Sequence, residues 1–167
     1  MIETRYGNVL DVDRGIIVHG CNCMGVMGSG IALEVKNRFP GVYTVYKEQE
    51  RIDGLKLGLI TYVEVDDDKF IVNALTQNQY AGHMSSFADG RQASYDAIFD
   101  SFFRVRKLVQ HLNTHRPENG PFEVLFPKIG AVRGGASWEV IKAIIDDAIP
   151  DSVAKKVYYE YVPPGGI

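Results

Sequence analysis

The sequence has no run of apolar residues approaching the ~20 that a membrane-spanning helix needs. The opening Met1-Ile2-Glu3-Thr4-Arg5 lacks the apolar core of a secretory leader. Cysteine is scarce: Cys21 and Cys23 are the only two, one residue apart. On a strand such neighbours point to opposite faces, which does not suit an intrachain disulfide. Positive charge is not in excess, since 18 Lys and Arg against 21 Asp and Glu give a net charge of −3. General nucleic-acid binding by counterion release needs clustered Lys and Arg, and membrane docking needs a basic amphipathic helix; neither is present. Internal repeats and low-complexity tracts are also missing. These absences point to a reduced, cytoplasmic, soluble chain, with nothing that demands more than a monomer.

What is present is a 167-residue chain with 46% hydrophobic and 23% charged residues, the balance of one globular domain spanning residues 1–167. The loosest stretches, residues 81–90 and 113–121, read as surface loops rather than linkers. Apolar β-branched runs predict strands at residues 15–19, 57–65, 69–76, 122–126 and 153–162. Helical spacing predicts helices at 29–39, 42–51 and 91–112, and one through about residue 148 that Ser137 can cap. Strands alternating with helices argue for a layered α/β fold with a mostly parallel, mixed sheet.

One pattern occurs twice. A buried strand enters a glycine-bearing loop, and the loop enters a helix. The first loop covers residues 20–28 and the second residues 127–136. A loop of this kind at the carboxyl end of a strand presents helix N-terminal amides to an anion, and glycine lets the backbone come close. Two such loops suit a diphosphate better than a monophosphate. Neither matches G-x-x-x-x-G-K-[ST] or G-x-G-x-x-G with its acidic partner, which disfavours P-loop and dinucleotide-dehydrogenase readings.

The segment HGCNCMGVMGSGIALEVKNRFP, residues 19–40, resembles the macrodomain family, whose members bind ADP-ribose. FPKIGAVRGGASWEVI, residues 126–141, resembles the family's second loop and following helix. The resemblance implies a three-layer α/β/α sandwich with a mixed sheet of about six strands. It aligns Asn22 with the asparagine that contacts the distal ribose. Gly28, Ser29, Gly30 and Ile31 align with the first diphosphate loop. Gly130, Ala131, Val132, Arg133, Gly134 and Gly135 align with the second. Asn8 and Val9 lie where the family recognises adenine, and Cys21 flanks the ribose asparagine. The His-x-Cys-Asn-Cys form is similar to the small stand-alone branch, which includes ADP-ribose-1''-phosphate phosphatases, ADP-ribosyl-glutamate hydrolases and small phage and bacterial macrodomains.

Three positions depart from the family pattern. Asn8 replaces an acidic residue and is expected to accept from the adenine amine through its carbonyl, without charge assistance. Val132 stands where related loops often carry Gly. Gly134 stands where the glutamate-hydrolase branch carries a catalytic Asp.

Among side chains, His19 ends the first predicted strand and is expected to face the site, where an imidazole with an ordinary pKa of about 6.5 suits proton transfer. Lys36 lies seven residues after Ser29 on nearly the same helical face, and the resemblance matches it to a nucleophilic lysine. Trp138 reads as a packing residue, and Tyr158, Tyr159 and Tyr161 read by default as core or edge cover of the last strand, with stacking of one of them on adenine as the alternative. Too few ligands accompany Cys21 and Cys23 for a metal site, and no cofactor is expected. The expectation is therefore a metal-independent hydrolase releasing phosphate from ADP-ribose-1''-phosphate with His19 as acid–base. An ADP-ribosyl hydrolase acting through Lys36, or a non-catalytic ADP-ribose-binding module, are the alternatives.

Overall fold

The computed structural model describes residues 1–79, 85, 87–131 and 134–165. Its strands are β1 (Ile2–Tyr6), β2 (Gly15–Asn22), β3 (Ile60–Asp66), β4 (Lys69–Gln77), β5 (Val124–Phe126) and β6 (Lys156–Glu160). They form one sheet in the order β1-β6-β5-β2-β4-β3. All neighbours run parallel except β3, which pairs antiparallel to β4. The helices are α1 (Gly30–Arg38), α2 (Pro40–Ile52), α3 (Tyr95–His115) and α4 (Trp138–Ala148).

Strand alternation distributes the core between two faces. Ile16 and Val18 of β2 pack with Ile98, Phe102 and Val105 of α3 and Ile141 of α4. Ile17, between them, packs on the opposite face with Val35 of α1 and Val42 of α2. Helices therefore cover both faces of the sheet. This is why its parallel strands read as unbroken apolar runs rather than alternating ones.

Element boundaries follow local chemistry. Ser94 caps α3 by accepting from the Ala97 amide at 3.1 Å, so the helix starts at Tyr95 and not at residue 91. Pro40 ends α1 and also opens α2, at the one helical position where a missing N–H costs nothing. The unforeseen β1 is a half-exposed edge strand whose sequence, IETRY, carries little apolar signal. Most consequential for the site, β2 continues to Asn22 instead of ending at His19.

Candidate functional site

The carboxyl ends of β2, β5 and β6 open onto a cleft of about 900 Å3. Such a position is where open α/β sheets bind ligands. One wall is Gly28, Ser29 and the first turns of α1: Gly30, Ile31, Ala32 and Glu34. The facing wall is Pro127, Lys128, Ile129, Gly130 and Gly134. The strand order fixes the two ends. Gly7, Asn8, Val9 and residues 158–161 close the β1–β6 end, while Gly20, Cys21, Asn22, Val26 and Gln77 line the β2–β4 end.

Helix α1 starts on the cleft without a side-chain cap. Ser29 makes no capping hydrogen bond, and Gly30 takes φ +58°, a conformation that favours glycine. The first amides of a helix have no partner within it, so this end offers donors and a positive dipole to an anion. The second loop behaves differently from expectation. Ser137 accepts from the Val140 amide at 3.5 Å, which caps α4, and Ser137 does not line the cleft. The second wall therefore contributes glycine backbone and Lys128, not a helix terminus. That backbone is tightly folded: Gly134 O accepts from the amides of Gln92 and Ala93 at 2.6 and 3.2 Å, and Gly130 O accepts from Ala136 at 3.0 Å.

His19 does not face the cleft. Because β2 extends three residues further, the rim moves to Asn22 and His19 lies fully buried beneath it. Its Nε2 is 2.6 Å from Asn73 Oδ1. The Asn73 amide nitrogen donates to Val42 O and Thr61 Oγ1, both at 3.0 Å, so its oxygen accepts and His19 carries its proton on Nε2. Burial pushes the imidazole pKa down to about 4, against a smaller upward pull from Asn73. His19 is thus a neutral core histidine.

Lys36 is also outside the cleft lining. Seven residues restore the helical face but carry the side chain about 10 Å along the axis. Its ammonium rests 4.4 Å from the centre of the Tyr43 ring on α2. Asn8 lines the cleft with its side chain already engaged: its carbonyl accepts from the Leu10 amide at 2.9 Å, capping the short helical turn Val9–Asp11, and its amide donates to Glu34 at 2.7 Å.

Asn22 lines the cleft and clasps its own loop. Oδ1 accepts from the amides of Met24 at 3.0 Å and Val26 at 3.4 Å, and Nδ2 donates to Val26 O at 2.9 Å. An amide nitrogen has two hydrogens, so one remains for a ligand. Val9, Cys21, Gly28, Ser29, Gly30, Ile31, Gly130 and Gly134 also line the cleft, whereas Ala131 and Gly135 do not. Val132 and Arg133 lie outside the described residues. Burial pushes the thiols of Cys21 and Cys23 up, that of Cys23 to about 11, which leaves both poorly nucleophilic. Trp138 packs between Phe126 and Tyr158, with its ring centre 4.9 Å from that of Tyr158.

Sequence reasoning missed Glu34, Lys128 and Tyr46, whereas Gln77 belongs to the run of polar amides after a strand, residues 73–80, that the sequence offers for a ribose or a leaving group. Glu34 was within reach, one turn after Gly30 on the same face. Tyr46 was not, because its position inside α2 reads as ordinary core. Its buried hydroxyl lies 2.7 Å from Asn22 O and 2.9 Å from Asn22 Oδ1, tying α2 to the cleft loop. Tyr46→Phe is expected to cost about 1–3 kcal/mol, since it leaves a buried acceptor short of a donor. Urea unfolding of the two proteins measures it.

No protein-family model matches the chain. Among curated proteins, a DNA ADP-ribosyl glycohydrolase of Mycobacterium tuberculosis is 30% identical over 172 residues, covering 99% of this chain and 43% of the relative. The chain thus spans less than half the length of that protein. An ADP-ribose 1''-phosphate phosphatase of Meyerozyma guilliermondii is 29% identical over 143 residues, covering 78% of this chain and 82% of the enzyme. Among solved structures, the macrodomain of Mycobacterium tuberculosis DarG superposes with a TM-score of 0.75 at 25% identity, covering 98% of each chain.

Proposed function

This chain belongs to the macrodomain family, and from that premise we propose that it binds ADP-ribose derivatives in the cleft and hydrolyses ADP-ribose-1''-phosphate to ADP-ribose and phosphate. The observation that carries the reading is the uncapped N-terminus of α1 facing a glycine wall across one cleft. A diphosphate between them accepts from the first-turn amides of α1, and Lys128 supplies a cation on the other side. The distal ribose then lies at the β2–β4 end, where the spare amide hydrogen of Asn22 donates to a sugar hydroxyl. The Gln77 carbonyl is an acceptor there for the attacking water, its amide nitrogen being held by Gln79 O at 2.7 Å.

The chemistry follows from this polar, weakly titratable end. Cys21 is its titratable side chain among the described residues, and its thiol stays protonated. Catalysis by such groups rests on positioning. Water adds at C1'' as the C1''–O bond to the phosphate breaks; the phosphate departs as an anion, needs no proton from the protein and takes up the one the water gives off, so it matches this wall better than an alcohol or amide would. His19 and Lys36 take no part. A second reading, release of ADP-ribose from modified DNA, is supported by the 30% identity to the glycohydrolase across 99% of this chain.

Phosphorus NMR tests both. With ADP-ribose-1''-phosphate, the diphosphate resonances are expected to shift and inorganic phosphate to accumulate with time. Shifted resonances without phosphate, alongside release of ADP-ribose from a modified oligonucleotide, would replace the first reading with the second. Unshifted resonances at millimolar protein and ligand would overturn ADP-ribose binding itself.

A further inference from the structure

Helix α2 grips the β2–β4 end of the cleft at two points. At the first, the fully buried Tyr46 clusters with Cys21, Met27 and Leu75 and brings its hydroxyl within 2.7 Å of Asn22 O and 2.9 Å of Asn22 Oδ1. One hydroxyl thus faces the main chain and the side chain of one residue, at the place where the pairing of β2 with β4 shifts register. At the second, Lys47 donates to Gly25 O at 3.3 Å and to Glu50 at 2.5 Å. Gly25 takes φ +78°, and a Cβ there would run into the Glu50 carboxylate, so loop and helix meet closely. The Met24 and Val26 amides also donate to Asn22 Oδ1, but they belong to the loop that Asn22 clasps and travel with it. Tyr46 stands on a separate helix. Burial pushes its phenol pKa well up, so the hydroxyl keeps the proton it donates.

We infer that Tyr46 is a positioning residue for this end of the cleft: its hydroxyl holds the Asn22 amide with its nitrogen toward the ligand, and so favours ligands that carry a distal ribose. The inference rests on the reading of the cleft as an ADP-ribose site and adds to it what orients the group that meets the sugar. A side-chain amide turned by 180° exchanges donor for acceptor at nearly the same shape. Packing therefore does not choose between the two orientations, and hydrogen bonds do. Oδ1 takes its donors from the loop and from Tyr46, which commits Nδ2 to Val26 O and to the cleft. Tyr46 acts only through Asn22, since it does not itself line the cleft. Without the hydroxyl, Asn22 is held by its own loop alone, and loop and amide can turn together.

The test compares the dissociation constants of ADP-ribose and of ADP by calorimetry. ADP has the same base, proximal ribose and diphosphate but no distal sugar. Tyr46→Phe keeps the buried ring and removes only the hydroxyl. It is expected to weaken ADP-ribose about three- to tenfold, the worth of one hydrogen bond, and ADP by less than about twofold. A merely structural role would weaken both alike. Asn22→Ala should show the same selective loss, and in its background Tyr46→Phe should remove nothing further from the affinity for ADP-ribose. Equal losses for the two ligands, an unchanged affinity for ADP-ribose in Tyr46→Phe, or losses from the two substitutions that simply add would each overturn the inference. Failure of the unaltered protein to bind ADP-ribose would overturn the underlying reading instead, an outcome separate from lost selectivity. Thermal melting shows whether each variant is folded at the titration temperature. Should Asn22→Ala melt below it, the comparison of the two ligands on Tyr46→Phe decides alone.

Discussion

Gly134→Asp is expected to weaken ADP-ribose binding rather than install a catalytic carboxylate. The family resemblance makes the opposite result attractive, because the position is where a hydrolase branch carries Asp. The backbone forbids it. A Cβ at Gly134 would lie 2.4 Å from Gly130 O, 2.9 Å from Gly130 Cα and 2.9 Å from Ala93 Cβ. Two of those atoms are main chain and cannot swing aside. Gly130 O is also held by the Ala136 amide, and Gly134 O by Gln92 and Ala93, so loop and neighbour must shift together. Overpacking of this kind costs about 1–3 kcal/mol. Here the strain falls on the wall that would hold the diphosphate, so affinity for ADP-ribose is expected to drop more than about tenfold, or about 1.4 kcal/mol. Gly134→Ala should do the same, which would assign the loss to the Cβ and not to the charge. Titration calorimetry measures both. An Asp variant that keeps its affinity and gains turnover would mean the loop has room the contacts deny.

How much of this was legible beforehand differs between fold and site. The layered α/β class followed from apolar runs at residues 15–19 and 69–76 alternating with helical periods, since parallel strands buried on both faces leave that trace. The edge strand β1 left none, because IETRY buries only part of each side chain. Glycine positions were readable because close approach and positive φ select glycine; Gly30 and Gly130 both take positive φ. Side-chain direction was not readable. His19, Lys36 and Asn8 are in the right segments, yet a strand three residues longer, a rise of about 10 Å along a helix, and a local cap redirect each of them. Glu34 shows the converse. Its place on the cleft wall was readable, one turn after Gly30, but the contact with Asn8 that holds its Oε1 joins separate elements, which no local pattern encodes.

The stability of the fold should depend on His19 in a way its catalytic activity does not. Its pKa is depressed to about 4 in the folded protein, against about 6.5 when unfolded. The unfolded chain therefore takes up the proton first as pH falls. The stabilisation is complete above about pH 6.5 and is lost progressively as pH drops toward about 4, at about 1.4 kcal/mol per pH unit. Between about pH 7.5 and about pH 4.5 this residue alone should remove about 2–3 kcal/mol. Carboxylates with lowered pKa, such as Asp146 and Asp151, also lose stabilisation in acid, so the total fall is larger. Subtraction isolates the histidine: urea unfolding of His19→Gln at the two pH values should show a fall smaller by about 2–3 kcal/mol, whatever its absolute stability. Equal falls in the two proteins would mean that His19 titrates in the fold as freely as in the unfolded chain, and would return it to the candidates for proton transfer. With the expected result, the rate of phosphate release should carry no inflection near pH 6.5 from His19, because an imidazole neutral from about pH 5 upward and shut beneath the cleft floor has no proton to exchange with a substrate.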